Sequence, residues 1–368
     1  MIFQKINFFL RIILNLEFTI PKSKNFLIFD SLKLNYLKFY IGESINVINF
    51  RDKEFSFFAF IYASVFFFRS EFKVEYINFF LNFTKKKTII SFNYNRLILY
   101  KIKKYYPSVK IIVIQNGVTN QKFIDKLKNN RANLSCDYFL CMSKIEKKKI
   151  KKHINSKFIV IGSFLNNFYN KFKPIEKQEI LLISQFRDKI SNVDLQASYS
   201  NTLKFLIPCL IKFFKKKKLK VISILGTSSN YNKEKQYYKN FFKENKFNFY
   251  KKNKFLGYER VNHASMVIGI DSTLLYEAFS RNKKIGIFNL SGNIKKFREH
   301  DTFLWKSYLK GEGVFWTRSK NQKRIYEILN FLNKSTQSEW LKKKSKYKDL
   351  LALDNNNKKF MNIINTIV

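Results

Sequence analysis

The chain reads as an α/β protein of two parallel-sheet domains. Three observations predict this: short apolar runs alternate with helix-patterned segments throughout, 368 residues leave room for two ordinary domains, and an aperiodic proline-bearing stretch interrupts the alternation near the middle. Strands separated by helices pair in parallel with both sheet faces covered, and their carboxyl ends then share one edge.

In the first half, residues 1–15 have the pattern of an amphipathic helix and 21–25 form a turn. Strands follow at 26–29, ending in Asp30-Ser31, and at 45–48, with Gly42 and Glu43 in the loop before the second. The most apolar run, 55–68, reads as a helix, with Asp52 and Glu54 placed to cap it. Its 14 residues fall short of the roughly 20 needed to span a bilayer, so a buried or interface-lying helix fits. Residues 88–92 form a strand, and 95–105 a helix with Leu97, Ile98 and Ile102 on one stripe. The unbroken apolar run 109–114 suits a central parallel strand. It ends in Gln115-Asn116-Gly117, where glycine allows a sharp turn or a close ligand approach. A strand at 138–142, a Lys-rich helix at 144–153 and a strand at 158–161 ending in Gly162-Ser163 complete this half.

The stretch 168–178, with Pro174, is the expected junction. It divides the chain into a first domain at 1–172, a second at 173–338, and a helical tail at 339–368 that packs back on the first. In the second domain a strand at 180–183 ends in Ser184-Gln185-Phe186-Arg187-Asp188. A helix at 201–214 leads to a strand at 219–225 that closes on Gly226-Thr227-Ser228. A helix at 234–242 and a short strand at 247–250 come next. Residues 266–270 form a buried strand, Asp271-Ser272-Thr273 a turn, 274–280 a helix and 285–288 another strand. A loop region through Trp316 leads to a helix at 321–332.

The turn at Asp271 organises the second domain. Asp, Ser and Thr accept hydrogen bonds from the N–H groups of a helix's first turn, and a helix start beyond a strand's carboxyl end is where a sheet offers N–H donors to a phosphate. Glu277 lies four residues after Thr273, on the same face of the helix. No Lys or Arg occurs from 261 to 280, although the two make up 70 of 368 residues. Strand, capped turn and helix are also ordinary α/β construction, and Arg187 with Asp188 also reads as a surface ion pair.

Composition narrows the function classes. Apolar residues at 46 % support a real core. The net charge of +44 comes from scattered lysines with short runs at 85–87, 147–149, 215–218 and 342–344, where solvated helix ends and loops are expected. It suits attraction to an anionic membrane or a phosphorylated substrate. No helix-turn-helix, zinc finger or RNP motif points to nucleic acid. Neither G-x-G-x-x-G nor a P-loop is present, which removes the main support for a dehydrogenase or P-loop NTPase. Cys136, Cys141 and Cys209 lack disulfide or zinc spacing and read as buried thiols. Glu299-His300-Asp301 reads as a charged loop, so no metal site is expected. The opening segment, broken by Arg11, is a poor signal peptide, which places the protein in the cytoplasm, with contact at the inner membrane face open.

Four motifs taken together resemble a known group: I-Q-N-G at 114–117, I-G-S at 161–163, L-L-I-S-Q-F-R at 181–187 and I-D-S-T-L-L-Y-E-A at 270–278. They are similar to the surface-carbohydrate (O-antigen and polysaccharide) biosynthesis proteins of bacteria, distant relatives of GT-B glycosyltransferases and of the CDP-glycerol glycerophosphotransferases. The resemblance implies two Rossmann-like domains facing a cleft, with transfer of a sugar or polyol phosphate from a nucleotide-activated donor to a carbohydrate or lipid-linked acceptor. It implies no resident cofactor; a nucleotide sugar or CDP-polyol is the donor substrate. Ser272 and Thr273 would hold the diphosphate, Glu277 a ribose hydroxyl, and Arg187 the charge of the leaving group. Ser184, Gln185, Gly226 and Asp271 would complete the donor side.

The glycerophosphotransferases carry His-Gly where this chain has Asn116-Gly117, and Asn cannot take a proton at neutral pH. Asp30 and Glu43 are the candidate bases beside Asn116. Two other functions compete: a sugar-nucleotide epimerase of the same architecture, and a basic membrane- or nucleic-acid-binding protein without catalysis.

Overall fold

A computed structural model describes residues 16–18, 20–49, 55–130, 133–169, 179–187, 193–216, 222–227, 230–251, 253–290, 308–309 and 311–367. The expected helix at 1–15, the caps Asp52 and Glu54, most of the junction, Asp188, Ser228 and Glu299 to Asp301 lie outside the described residues. The chain divides into two compact units, Met1–Phe168 with Asn357–Val368, and Tyr169–Asn356.

The first unit holds a six-stranded sheet of β1 (Lys24–Phe29), β2 (Ile45–Ile48), β3 (Thr84–Ser91), β4 (Lys110–Ile114), β5 (Ser135–Cys141) and β6 (Asn155–Val160), in the order β2-β1-β3-β4-β5-β6. Every neighbouring pair is parallel. Alternate side chains leave a strand on opposite faces, and β4 shows it. Ile111 and Val113 enter one apolar cluster with Leu27, Ile89 and Phe139, while Ile112 and Ile114 enter another with Phe26, Ile28 and Ile90.

The second cluster is closed by the last helix, Lys358–Ile367, through Phe360, Ile363 and Ile364. Asn357 leads that helix in: its Nδ2 donates to Tyr40 Oη and the Phe164 carbonyl, both at 3.0 Å, and its Oδ1 accepts from Asn167 Nδ2 at 2.8 Å. The tail therefore does two jobs. Its earlier helix, Gln337–Ser345, buries Trp340 against Phe279 and Phe315 in the second unit.

The second sheet comprises β7 (Glu179–Ile183), β8 (Ile222–Leu225), β9 (Phe247–Tyr250), β10 (Ala264–Gly269), β11 (Lys284–Phe288) and β12 (Trp316–Thr317), in the order β9-β8-β7-β10-β11-β12. It too is parallel throughout. β7 lies at its centre between β8 and β10, which sets the carboxyl ends of these three side by side, about 4.8 Å apart.

Several local expectations change. The apolar run begins as a two-residue strand, Phe55–Ser56, paired with Leu16–Glu17, and its helix is Phe57–Phe66, capped by Ser56 Oγ accepting from Ala59 N at 3.3 Å. The helices Leu34–Ile41, Phe72–Asn82, Gln121–Lys128 and Lys254–His263 complete the alternation. Gln121–Lys128 went unread although Phe123, Ile124 and Leu127 form an apolar stripe, because it is only eight residues long.

Candidate functional site

At the carboxyl edge of the second sheet, three adjacent strand ends bring together most of the expected donor-side residues. Ser184 to Arg187 follow β7, Gly226 and Thr227 follow β8, and Asp271 to Thr273 follow β10. Beneath them lies a residue that motif reading missed. Glu234, in the first turn of helix Tyr231–Phe242, is buried and turns toward the sheet edge. Both its carboxylate oxygens accept from Thr227 N at 3.1 Å, and Ser184 Oγ donates to Oε1. Ser184 Oγ in turn accepts from Tyr238 Oη at 2.8 Å and Phe186 N at 3.1 Å. The Ser184 hydroxyl is thus enclosed in an internal network that shapes the loops.

The same network explains Gly226. A Cβ there would stand 2.9 Å from Glu234 Oε2 and 3.1 Å from both the Phe249 ring and the Tyr250 carbonyl. Glycine lets the carboxylate reach the loop. Above it sits Arg187, half-exposed, donating to Thr227 Oγ1 at 3.1 Å, Gln185 Oε1 at 3.3 Å and the Phe186 carbonyl at 3.4 Å. Gln185, itself buried, steers the guanidinium.

The helix after β10 is Thr273–Ser280, with Ser272 at its N-cap. Ser272 makes no side-chain capping bond, which differs from the cap expected of it. Asp271 is buried, while Ser272 and Thr273 are half-exposed. One turn deeper, Glu277 is buried, with Oε2 accepting from Tyr258 Oη at 2.9 Å. Arg281 lies 5.0 Å over the Tyr258 ring and donates to Asn262 Oδ1 at 2.8 Å. Burial pulls its guanidinium pKa down, and Tyr258 and Glu277 oppose that shift.

The carboxyl edge of the first sheet is built from amides and two carboxylates, Asp30 and, beneath the Asn116 loop, Glu146. Asp30, buried just after β1, takes a left-handed backbone (φ 77°) that Asp tolerates better than most residues. Its Oδ2 accepts from Asn93 Nδ2 at 2.6 Å and its Oδ1 from Leu32 N at 3.2 Å. Asn93, two residues beyond β3, is the partner that motif reading did not single out. β3 separates β1 from β4, so Asp30 and Asn116 stand two strands apart, roughly 10 Å.

Asn116 is half-buried on a loop pinned from below. Buried Gln115 accepts from Met142 N at 2.9 Å and donates to the Gly117 carbonyl at 2.9 Å and to Glu146 Oε2 at 2.6 Å. Thr119 N also donates to Glu146 Oε2, at 2.8 Å. Glu146 sits in the first turn of helix Lys144–Ile150 and is wholly buried. Gly117 is not at positive φ, and a Cβ there would meet open space. The chain bends there without a left-handed backbone, and the room beside it suits the other expectation, a close approach.

Glu43 is a correction. It precedes β2 in an all-parallel sheet, so it lies at the amino edge, opposite Asp30 and Asn116. Its side chain is 78 % exposed and pairs with Lys38 Nζ at 2.6 Å.

Cys136, Cys141 and Cys209 are free and buried. Burial pushes the Cys136 thiol up to about 12 and raises Cys141 and Cys209 as well. Two cavities of about 300 and 880 Å³ belong to the first unit, and neither is lined by a candidate residue. Among the described residues no three His, Cys, Asp or Glu side chains cluster as metal ligands do.

Residues 112–368 match the profile of a family described as "putative O-antigen biosynthesis protein". No curated protein matches the chain at a significant level. Among solved structures, a glycosyltransferase from Rickettsia africae is 11 % identical, with 94 % of this chain and 99 % of that one covered and a TM-score of 0.51. A UDP-GlcNAc 2-epimerase from Methanocaldococcus jannaschii is 11 % identical over 93 % of this chain and 99 % of its own, with a TM-score of 0.50. The wall teichoic acid polymerase TagF is 12 % identical over 94 % and 89 %, also at 0.50. At such identities the likeness is one of fold: the α/β, two-sheet architecture of GT-B glycosyltransferases and of this epimerase.

Proposed function

The chain belongs to the O-antigen biosynthesis family whose profile covers residues 112–368, and from that premise we propose that it is a GT-B-like transferase of surface polysaccharide assembly. It moves a sugar or polyol phosphate from a nucleotide-activated donor to a carbohydrate or lipid-linked acceptor. The observation that carries this reading is that the end of β7, which bears a steered cation, Arg187, stands beside the end of β10, which leads into a helix start whose N-cap hydroxyl is not used as a cap. Such a pair suits a diphosphate, the group on which charge grows as the nucleotide departs.

In this reading Ser272, Thr273 and the N–H groups behind them hold the donor phosphates. Arg187 takes the charge of the leaving group, and Glu277, held by Tyr258, reaches a ribose hydroxyl. Gln185, Ser184, Gly226 and Asp271 shape the loops that present them. The acceptor side falls to the first unit. Asp30 is the general base and Asn116 a hydrogen-bonding group for the acceptor. An acceptor hydroxyl attacks the transferred group, its proton passes to the base, and the nucleotide leaves with the electrons of the broken bond. Among the described residues no helix is long and apolar enough to cross a membrane. We place the protein in the cytoplasm with peripheral contact at an anionic membrane, and without a nucleic-acid partner.

Thermal shift against a panel of nucleotide sugars and CDP-polyols tests the donor site, since a ligand stabilises the fold it binds. The native protein gains stability with its donor, and Ser272→Ala with Thr273→Ala removes that gain while leaving the ligand-free melting temperature in place. No gain with any nucleotide, or an equal gain in both proteins, overturns the assignment. The fold shared with the Methanocaldococcus epimerase favours one second reading, epimerisation of a nucleotide sugar. Turnover of donor without any acceptor would establish it in a product assay.

A further inference from the structure

Helix Phe57–Phe66 packs the wrong way round for a core helix. The residues it buries fully are the small Ala59 and Ala63; Phe60 and Tyr62 pack half-buried on Phe72 and Phe79, and the branched Ile61 and Val65 face outward. Ile61 is 46 % exposed and Val65 55 %, and the chain runs on into Phe67 at 58 % and Phe68 at 71 %. Positions 61, 65 and 68 fall on one helical face. Phe18, 70 % exposed, extends it by lying with its ring centroid 4.7 Å from that of Phe57. Burying apolar side chains is worth about 1.5–3 kcal/mol each in ordinary folding, so so many left outward mark an interaction face.

Two observations say what covers it. First, the face is bare of polar groups. Between 57 and 68 there is no charge, and Ser64 is the one polar residue fully exposed, whereas a protein partner needs roughly one hydrogen bond per 100–200 Å². Second, its carboxyl end is rich in cations, with Glu71 set among them. The Arg69 guanidinium lies 4.4 Å over the Phe66 ring and 5.7 Å over that of Phe68. Lys73 stands near enough to Arg96 that, after burial, this arginine is the next cause lowering its pKa. Lys101 adds a further cation, bonded at 2.5 Å to Glu71. An aromatic and aliphatic face with a basic rim, on a chain of net charge +44, is the chemistry of a helix lying in the interface of an acidic bilayer.

We propose that the outward face of residues 57–68, with Phe18 beside it, inserts into the headgroup layer of an anionic phospholipid membrane and that Arg69 and its neighbours engage the lipid phosphates. This deepens the peripheral-contact part of the reading above. Its test measures vesicle binding with no reaction, so it fails separately from the transferase assignment.

Flotation of the full chain with phosphatidylglycerol–phosphatidylethanolamine vesicles should recover the protein in the lipid fraction. Ile61→Glu with Phe68→Glu should weaken partition at least about tenfold. Both positions are exposed, so the melting temperature should hold. As a second readout, Phe68→Cys carrying an environment-sensitive dye should shift to the blue on these vesicles, the three native thiols being buried. Three outcomes overturn the proposal: no vesicle binding by the native chain; binding that added salt abolishes while the double variant binds as well as the native chain, which leaves diffuse charge as its cause; or a dye shift caused by self-association without lipid, which makes the face a contact between copies.

Discussion

At the edge of the first sheet Glu146 accepts from Thr119 N and the Gln115 amide; at the edge of the second, Glu234 accepts from Thr227 N and the Ser184 hydroxyl. Each glutamate lies in the first turn of a helix, where the macrodipole favours an acid; Glu234 spends both oxygens on a neighbouring strand-end loop, while Glu146 gives it Oε2 and pairs Oε1 with Lys149 of its own helix at 3.0 Å. Above this common footing the two edges diverge. The second presents a half-exposed guanidinium and a helix start without a side-chain cap. The first presents amides and a single carboxylate already gripped by Asn93 and Leu32 N. In the proposed reading the second edge takes an anion and the first neutral hydroxyl groups. The buried acid makes the edge rigid, and the residues it supports decide the ligand.

The sharpest way to break this comparison is Asp30→Asn. Asn keeps the shape and tolerates positive φ, so loss of the base should lower kcat about 10²–10⁴-fold with donor affinity intact, as read by steady-state kinetics beside thermal shift. Unchanged turnover would return the first edge to a purely structural role. Next, Glu234→Ala strips a hydroxyl and an N–H of their buried acceptor and should cost about 3 kcal/mol by denaturant titration, with Glu146→Ala about 2 kcal/mol.

The thiols tell the two lesions apart. Burial holds Cys136 and Cys141 protonated at pH 8, so they should resist thiol reagents in the native protein. Glu146→Ala should speed their labelling and leave Cys209 slow; Glu234→Ala should leave both slow. A variant that opens all three thiols would mean the units unfold as one. The smallest expected effect is that of Arg187→Ala. It should weaken nucleotide binding about tenfold and move ligand-free stability by no more than about 0.5 kcal/mol. Equal loss of affinity for an uncharged nucleoside would deny Arg187 its role toward phosphate.

The strands were plain from the sequence because parallel strands buried on both faces are written as unbroken apolar runs, as at Ile111 to Ile114 and Ile180 to Ile183. Their carboxyl ends followed at once, and with them Asp30, Asn116, Arg187 and Ser272. Asn93, Glu146 and Glu234 did not follow. Asn93 sits in a polar turn like many others, and each glutamate sits in a helix rich in Lys, where an acid reads as a solvated surface charge. Glu43 was misassigned because a loop residue near a strand carries no mark of which strand end it serves.

Local pattern thus determined the α/β class, the succession of all but the two-residue strands such as Trp316–Thr317, and the small set of residues at their ends, since burial and helix starts are properties of short windows. Only the tertiary structure decided which ends stand side by side, that Ser184 and Gly226 serve a buried acid, that the tail splits between the two units, and that Ile61, Val65 and Phe68 stand exposed. Those outcomes depend on strand order and on neighbours far away in the chain. Hydrogen bonds such as Asn167 to Asn357, 190 residues apart, leave no periodic trace for a sequence to carry.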